Sequence, residues 1–521
     1  MKVRLLYPDR DWDQEPLLTE SFRWFRRTPL PPLPPAERAA LQDLDLDTVC
    51  AAMAEGDEFL LEVARRALLD TAGNDPDVIR RRQAILRDCL AHPSVARDLY
   101  AAAVDAVTTK RGSYVGIGNR HPGSRLYDAV DQLRAFLGVL RRVRGIADAH
   151  AGVVESEGLR VLVATLQEEL TDRFLIEAEA HVVELGFRRG VLLSGGLGPG
   201  GRGAAYLVRR PAGEGSSGWL RRLVGQAPSA HTFHIDERDE AGARALGDIR
   251  AQGIAVVAEV AAQSADHIRS FFELLRAELG FYVGCLNLQQ RLTACGAVTV
   301  FPVPAPAGSR RWRCRGLYDP SLALRLGRAA VANDVSADGR SLVVVTGANQ
   351  GGKSTFLRSV GLAQLMMQAG MPVTAAEFAA ESGAEVFTHF KQEEDRTQTH
   401  GKLDEELARF SGIVDRLRPN DLVLLNESFA ATDEREGSEI ADQVVRGLVE
   451  SGIRIVFVTH LYTFAQGAFA RRSPDALFLR AERRPDGTRT FKLAEAGPVE
   501  TTHAEDLYRE VFGDAAGSGS T

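Results

Sequence analysis

The chain has 521 residues, of which 45% are hydrophobic and 7% aromatic, so it can bury large cores and is long enough for about three domains. The 63 basic and 70 acidic residues give a net charge of −7, which offers no global attraction to nucleic acid. This composition excludes a disordered chain, and no apolar stretch reaches the roughly 18 residues that a membrane span requires.

The start of the chain carries acidic residues and prolines before any apolar run, so we expect no secretory signal and a cytoplasmic location. The five cysteines are scattered and never spaced C-x-x-C, which argues against a disulfide framework and against a zinc knuckle. Residues 29–35 read PLPPLPP, a stiff extended segment that helices exclude. We therefore predict a separate N-terminal arm over residues 1–35.

Helical spacing of apolar residues follows the arm. It predicts several packed helices over residues 36–103, long helices over 124–185 and a further helical stretch from about 237. A glycine-rich run and the strand-like AYLV at 205–208 interrupt this pattern. We predict an all-α core and lever domain over 36–297, with a small β-containing insertion at about 188–236.

The pattern changes again at about residue 298. Apolar runs at 342–345, 422–425 and 453–458 are short and bounded, as buried parallel strands are. They predict one α/β domain over residues 298–512. The last residues, 513–521, are rich in Gly, Ser and Ala and are expected to be disordered.

A nucleotide-binding motif follows the first of these strands. Residues 347–354 read GANQGGKS, which fits G-x-x-x-x-G-K-S/T between a predicted strand and a predicted helix. Its glycines let backbone N–H groups surround phosphates, Lys353 reaches the β- and γ-phosphates, and the Ser354 hydroxyl coordinates Mg²⁺. The motif therefore predicts ATP and Mg²⁺ as cofactors.

The other two strands end in polar residues. Asn426 and Glu427 follow the strand at 422–425, and Glu427 is the candidate general base. Asn426 stands where an aspartate usually helps to hold Mg²⁺; its amide can bind a metal-bound water but adds no charge, which favours slow hydrolysis. His460, after the third strand, is the candidate sensor of the γ-phosphate.

Two weaker patterns receive no site. Gly196, Gly198 and Gly201 match G-x-G-x-x-G, but no βαβ unit surrounds them, which favours a flexible loop. His231 and His234 could share a metal ion, yet two ligands without nearby cysteines are too few.

Taken together, these motifs resemble the MutS family of DNA mismatch-repair ATPases. The similar segments are VVVTGANQGGKSTFLRSVGLAQLMMQAGMPVTA at 343–375, LVLLNESF at 422–429 and FVTHLYTF at 457–464. Upstream, VIRRRQAILRDCL at 78–90 is similar to a segment of the family's helical core, and FYVGCLNLQQRLT at 281–293 to the helix that leads into its ATPase domain.

The resemblance implies a C-terminal P-loop NTPase domain of ABC type, preceded by an all-α core and a lever arm with a reduced clamp at its tip. It assigns catalysis to Glu427 and γ-phosphate sensing to His460. The metal residues, Ser354 and, through water, Asn426, follow from the motifs themselves. The nucleotide-binding residues predicted from the motif and the resemblance are Gly347, Asn349, Gly351, Gly352, Lys353, Ser354 and Thr355.

The sequence also departs from the family pattern. Asn426 replaces an aspartate, and FAATD at 429–433 replaces a glycine- and Ser/Thr-rich loop that contacts the partner subunit. The loop that reaches the partner's nucleotide would fall at 396–406. Because only about 35 residues precede the helical core and a domain needs roughly 50, no mismatch-reading domain is expected there, nor a nuclease-like module after residue 512.

The function that follows is an ATP-dependent DNA-binding protein in repair or recombination, a homodimer with composite ATPase sites that closes on duplex or structured DNA through phosphate contacts. Two alternatives stay open: an ATP-driven factor acting on RNA or ribosomes, and a slowly hydrolysing, nucleotide-bound scaffold. The candidate DNA contacts are Arg209, Arg210, Arg221, Arg222, Arg310, Arg311, Arg313 and Arg315.

Overall fold

The computed structural model describes most of the chain: residues 2–10, 12, 34–70, 75–108, 121–187, 190–201, 203–209, 234–236, 238–391, 402–484 and 488–499. Several predicted features lie outside these ranges, namely Arg210, Arg221, Arg222, His231 and the tail at 513–521. No helix within the described ranges is both long enough and apolar enough to cross a membrane. The five cysteines are free thiols, four of them buried.

Helices and strands are numbered in chain order. The helices are α1 (Pro35–Asp43), α2 (Leu46–Ala54), α3 (Glu58–Leu69), α4 (Pro76–Ala91), α5 (Pro93–Thr108), α6 (Pro122–His150), α7 (Glu157–Glu169), α8 (Asp172–Leu185), α9 (Glu240–Ala294), α10 (Pro320–Leu326), α11 (Lys353–Gln368), α12 (Lys402–Val414), α13 (Glu434–Glu450) and α14 (Tyr462–Ala470). The strands are β1 (Leu193–Leu197), β2 (Gly203–Val208), β3 (Val303–Ala305), β4 (Trp312–Leu317), β5 (Asn333–Ser336), β6 (Leu342–Thr346), β7 (Glu377–Glu381), β8 (Val386–Phe390), β9 (Leu422–Asn426), β10 (Arg454–Val458), β11 (Ala476–Arg483) and β12 (Arg489–Glu495).

The chain divides into two compact units. The first contains residues 1–3, 97–154 and 160–276, and the second contains 4–96, 155–159 and 277–521. This division cuts across the predicted domain bounds, because residues 36–96 belong to the unit that holds the phosphate loop. The predicted bounds stay predictions.

The described residues of the first unit form helices and one hairpin. Helices α6 and α9 meet through aromatic residues, with the rings of Phe136 and Phe272 6.1 Å apart. Strands β1 and β2 pair antiparallel, within the range where the sequence predicts a β-containing insertion. The hairpin approaches α9 closely at Gly253, where a Cβ atom would lie 2.5 Å from the Leu193 side chain.

The N-terminal segment is part of the helical core of the second unit. The backbone N–H groups of Leu5 and Leu6 donate to the carboxylate of the fully buried Glu278. The Tyr282 hydroxyl donates to the Leu5 carbonyl at 3.0 Å, and Arg82 Nε donates to the Leu6 carbonyl at 2.8 Å. The beginning of the predicted separate arm is therefore held by buried hydrogen bonds.

A six-stranded sheet forms the centre of the second unit. Its order is β12-β11-β6-β10-β9-β8, and every neighbouring pair is parallel except β11 with β12. The three predicted strands are β6, β9 and β10, and they are almost fully buried, as their apolar runs indicate. The mixed α/β fold with a parallel sheet that the sequence predicts is present.

A second sheet, of order β3-β7-β4-β5, was not expected from the sequence. In β4 the buried Trp312 and Cys314 alternate with the exposed Arg313 and Arg315. Its strands have only three to six residues, too few for their alternation to stand out in the sequence.

Candidate nucleotide site

Parallel register brings the ends of three strands to one edge of the sheet. Val458 of β10 is aligned with Val345 of β6 on one side and with Asn426 of β9 on the other. The phosphate loop, Asn426–Glu427 and His460 begin where these strands end. Because the carboxyl ends of parallel strands are where such sheets bind ligands, this edge is the candidate site.

The backbone conformation of the phosphate loop requires glycine at two positions. Gly347 has φ of 117°, and a Cβ atom there would lie 2.9 Å from the backbone nitrogen of Ala481. Gly352 has φ of 87° and caps helix α11. Both angles lie in a region that side chains with a Cβ rarely adopt, so the loop depends on glycine.

The N-terminus of α11 is suited to an anion. Its cap residue Gly352 makes no side-chain hydrogen bond, and the first turn carries no acidic residue. The first N–H groups of a helix have no partner within the helix, and the helix dipole adds partial positive charge. A phosphate group therefore fits this end of the helix.

Lys353 is buried inside its own loop. Its Nζ donates to the carbonyl oxygens of Gly347 at 2.8 Å and Ala348 at 3.1 Å, and only 4% of the residue is exposed. Burial lowers the pKa of Lys353, and the negative charge of Glu427 acts in the opposite direction. Two neutral carbonyls leave the ammonium charge without full compensation, so incoming phosphate oxygens would find a strong partner.

The predicted metal residues contact each other directly. The Ser354 hydroxyl donates to Asn426 Oδ1 at 2.9 Å. Mg²⁺ prefers oxygen ligands and usually keeps several waters and phosphate oxygens, so these two oxygens fit a site completed by a nucleotide. Among the described residues, no group of three His, Cys, Asp or Glu side chains could hold a metal ion by itself.

Glu427 and His460 are also neighbours. Glu427 Oε2 lies 3.9 Å from His460 Nδ1, and about one third of each side chain is exposed. The Glu427 N–H donates to the Val458 carbonyl at 2.8 Å, which ties the end of β9 to β10. The geometry thus brings the two predicted catalytic residues together at the sheet edge.

A cavity of about 530 Å³ connects most of these groups, which is within the usual size of a ligand site. It is lined by residues 349–356 and Glu427, and its far wall contains Tyr318, Leu322 and Phe491. His460 instead lines a second cavity of about 300 Å³, together with Gly347 and Thr459.

No motif in the sequence indicates the far wall of the cavity. Asp319, which is fully buried, accepts from the Leu322 N–H at the start of α10 and from Arg358 Nε on α11. Burial raises the pKa of Asp319, and the nearby Arg358 opposes that shift. The dipeptide Asp319-Pro320 is a helix-start signal, but nothing in it indicates contact with the phosphate loop.

The other predicted contacts are dispersed. Three of the arginines proposed for DNA have a carboxylate within ion-pair distance, at 3.5 Å for Arg310, 4.0 Å for Arg313 and 2.5 Å for Arg315. Arg209, at the end of β2, donates to the Ser194 hydroxyl, and His234 is exposed. The patch around β4 is therefore partly neutralised.

Comparison with known proteins places these features in a family context. The model of the MutS2 N-terminal domain matches residues 74–295, and the model of MutS domain V matches residues 343–500, which include the whole candidate site. The chain is 28% identical over 252 residues to an Endonuclease MutS2 of Maridesulfovibrio salexigens, covering 47% of this chain and 31% of that protein.

Two further relatives give a similar result. The chain is 33% identical over 132 residues to an Endonuclease MutS2 of Streptococcus uberis and 33% identical over 133 residues to a Putative endonuclease MutS2 of Bacillus subtilis. Each match covers 25% of this chain and 17% of the relative. The matched segments thus span less than one third of the length of these relatives.

Lys353→Ala should weaken ATP binding by at least about tenfold, because a charge-assisted hydrogen bond to phosphate contributes about 1.5–3 kcal/mol. Titration calorimetry with a non-hydrolysable ATP analogue measures the effect. Lys2→Ala, at an exposed lysine outside the cavity, is the control and should bind normally. Equal affinity in the two variants would contradict the role of Lys353.

Proposed function

The chain belongs to the MutS family, and we propose that it binds and hydrolyses ATP in the cavity beside the phosphate loop. We further propose that this cycle controls its hold on DNA in repair or recombination. The observation that carries the proposal is the contact of Ser354 with Asn426, because it joins the helix that follows the phosphate loop to the last residue of β9, directly before Glu427.

The chemistry assigned to each residue follows from its position. The N–H groups at the start of α11 and the ammonium of Lys353 would bind the phosphates, while Asn349 and Thr355 line the same cavity. Mg²⁺, when bound, would neutralise negative charge on the phosphate oxygens. Glu427 would accept the proton of the attacking water, and His460, close to Glu427, would contact the γ-phosphate.

A dimer with composite sites is part of the proposal, although the N-terminus of α13 is a poor place for a partner's phosphate. Asp433 already accepts from the N–H groups of Arg435 and Glu436 at 3.0 and 3.1 Å. Glu434 and Glu436 add negative charge to the same turn. We therefore assign the contact with the partner's nucleotide to the segment 396–406, of which residues 396–401 lie outside the described ranges.

The neutral amide at Asn426 favours one of the alternatives, a slowly hydrolysing scaffold. Of the described residues, two acidic side chains line the cavity, and one of them, Asp319, is paired with Arg358. Glu427 is therefore the carboxylate near the phosphate loop that is not held in an ion pair with Arg358. We propose that the rate of hydrolysis depends on Glu427.

Glu427→Gln should keep ATP bound and slow its hydrolysis by about 10²-fold or more, because the amide cannot accept the proton of the attacking water. Steady-state phosphate release and equilibrium ATP binding are measured on the same preparation. Glu439→Gln, on the exposed face of α13, is the matched control. If Glu427→Gln hydrolyses ATP at the normal rate, another residue is the base.

Asn426→Asp should increase Mg²⁺-dependent hydrolysis, because the carboxylate still accepts from Ser354 and adds an anion beside the metal-bound waters. The opposing effect is that adjacent carboxylates raise each other's pKa. Turnover across a Mg²⁺ titration decides between them, with Asn420→Asp near the other end of β9 as control. Equal or lower rates at every Mg²⁺ concentration would support the scaffold.

Binding to duplex DNA should weaken by at least about 10²-fold between 50 and 200 mM salt, because contacts to phosphates release counterions. A mismatch in the duplex should change the affinity by less than about tenfold, since phosphate contacts carry no sequence information. Fluorescence anisotropy with competing RNA and ribosomes measures these affinities. Preferential binding to ribosomes would favour the RNA alternative, and a mismatch preference of about 100-fold would require contacts to bases.

A further inference from the structure

We propose that His389 and Ser428 form a positioning pair that holds Glu427 in the conformation its reaction requires. The inference rests on the proposed function in one respect only, namely that Glu427 is the base. His389 ends β8, Ser428 follows Glu427 directly, and both side chains are buried. Neither touches the cavity, so both would act through Glu427.

The turn that presents Glu427 has an unusual backbone. Glu427 has φ of 53° and Phe429 has φ of 64°, so two side-chain-bearing residues adopt the left-handed region within three positions. This region is sparsely populated by residues other than glycine, above all by bulky ones. Such a turn persists only when the surrounding contacts determine its shape.

His389 and Ser428 are joined to each other by two short contacts. His389 Nδ1 lies 2.7 Å from Ser428 Oγ, and the Ser428 hydroxyl donates to the His389 carbonyl at 2.7 Å. Arg409 Nη2 donates to His389 Nε2 at 3.1 Å, which leaves the ring proton on Nδ1, directed at Ser428. Burial, and to a smaller extent the charge of Arg409, lowers the pKa of His389 to about 3, so the ring is neutral near pH 7.

Helix α12 holds the other end of the same turn. The Phe429 N–H donates to Glu406 Oε1 at 2.6 Å, and the ring of Phe429 stacks on that of His389 at 5.9 Å and meets the edge of Phe410 at 5.2 Å. Three residues of one helix, Glu406, Arg409 and Phe410, therefore converge on the residues that flank Glu427. A displacement of α12 would be transmitted to the base.

A purely structural role predicts something different from a positioning role. If the pair only satisfies buried polar groups, its loss lowers stability and leaves turnover per folded molecule unchanged. If it positions Glu427, its loss lowers kcat while ATP affinity, which depends on the phosphate loop, stays the same. Ser382 provides the matched control, because its buried hydroxyl donates to the Ala305 carbonyl at 3.0 Å outside the cavity.

The experiment compares Ser428→Ala with Ser382→Ala in the full chain. Ser428→Ala should lower kcat by about tenfold or more and change ATP affinity by less than about twofold, whereas Ser382→Ala should retain kcat. His389→Asn, which keeps a donor near the Nδ1 position, should retain more activity than His389→Phe, which keeps only a ring. Thermal unfolding of each variant measures the loss of stability.

Hydrogen–deuterium exchange over residues 425–430 gives a readout that does not need turnover. Ser428→Ala should accelerate exchange at the Glu427 and Phe429 amides, and Ser382→Ala should not. Unchanged exchange in Ser428→Ala, or equal loss of kcat in both serine variants, would overturn the inference. If Glu427→Gln retains full turnover, the proposed catalytic role fails, and the exchange data still decide whether the pair holds the turn.

Discussion

Val345, Val458 and Asn426 are aligned across β6, β10 and β9, and this register determines where every predicted functional group lies. A shift of one residue in either pairing would exchange the faces that the side chains point to and would separate Asn426 from Ser354. The buried apolar runs specify the register because both faces of the sheet are covered. The phosphate loop contributes the candidate phosphate-binding groups, and the packing of the strands determines where those groups lie relative to Asn426 and Glu427.

Two helix N-termini of the second unit illustrate how local sequence selects for or against an anion. Helix α11 begins at Gly352 without a side-chain cap and without acidic residues in its first turn. Helix α13 begins with Asp433 as its cap and carries two glutamates in its first turn. The helix dipole acts in the same direction in both, so the side chains of the first turn favour an anion at α11 and disfavour one at α13.

The sequence predicts the phosphate loop, Asn426, Glu427 and His460 because each lies at the end of a buried strand. The apolar run of such a strand can be recognised in the sequence without knowing which strands pair with it. It does not predict the contacts that join distant segments: Ser428 and His389 are 39 positions apart, and no spacing rule connects them. The proline-rich run at 29–35 predicts a separate N-terminal arm, because helices exclude such a segment. The burial of Leu5 and Leu6 depends on Glu278, more than 270 positions away.

Two departures from the family pattern, Asn426 and Phe429, flank Glu427 and Ser428 in the sequence. Among the described residues that line the cavity, Glu427 is the acidic side chain that is not paired with Arg358, and its charge raises the pKa of the buried Lys353 against the effect of burial. The position of Glu427 therefore bears on both the predicted base and the pKa of Lys353, the predicted phosphate ligand. Phe429 takes a left-handed backbone conformation that glycine would adopt more easily, but its ring packs on His389 and Phe410. A glycine there would relieve the backbone and remove that packing, so the bulky residue restricts the turn directly after Glu427 and Ser428.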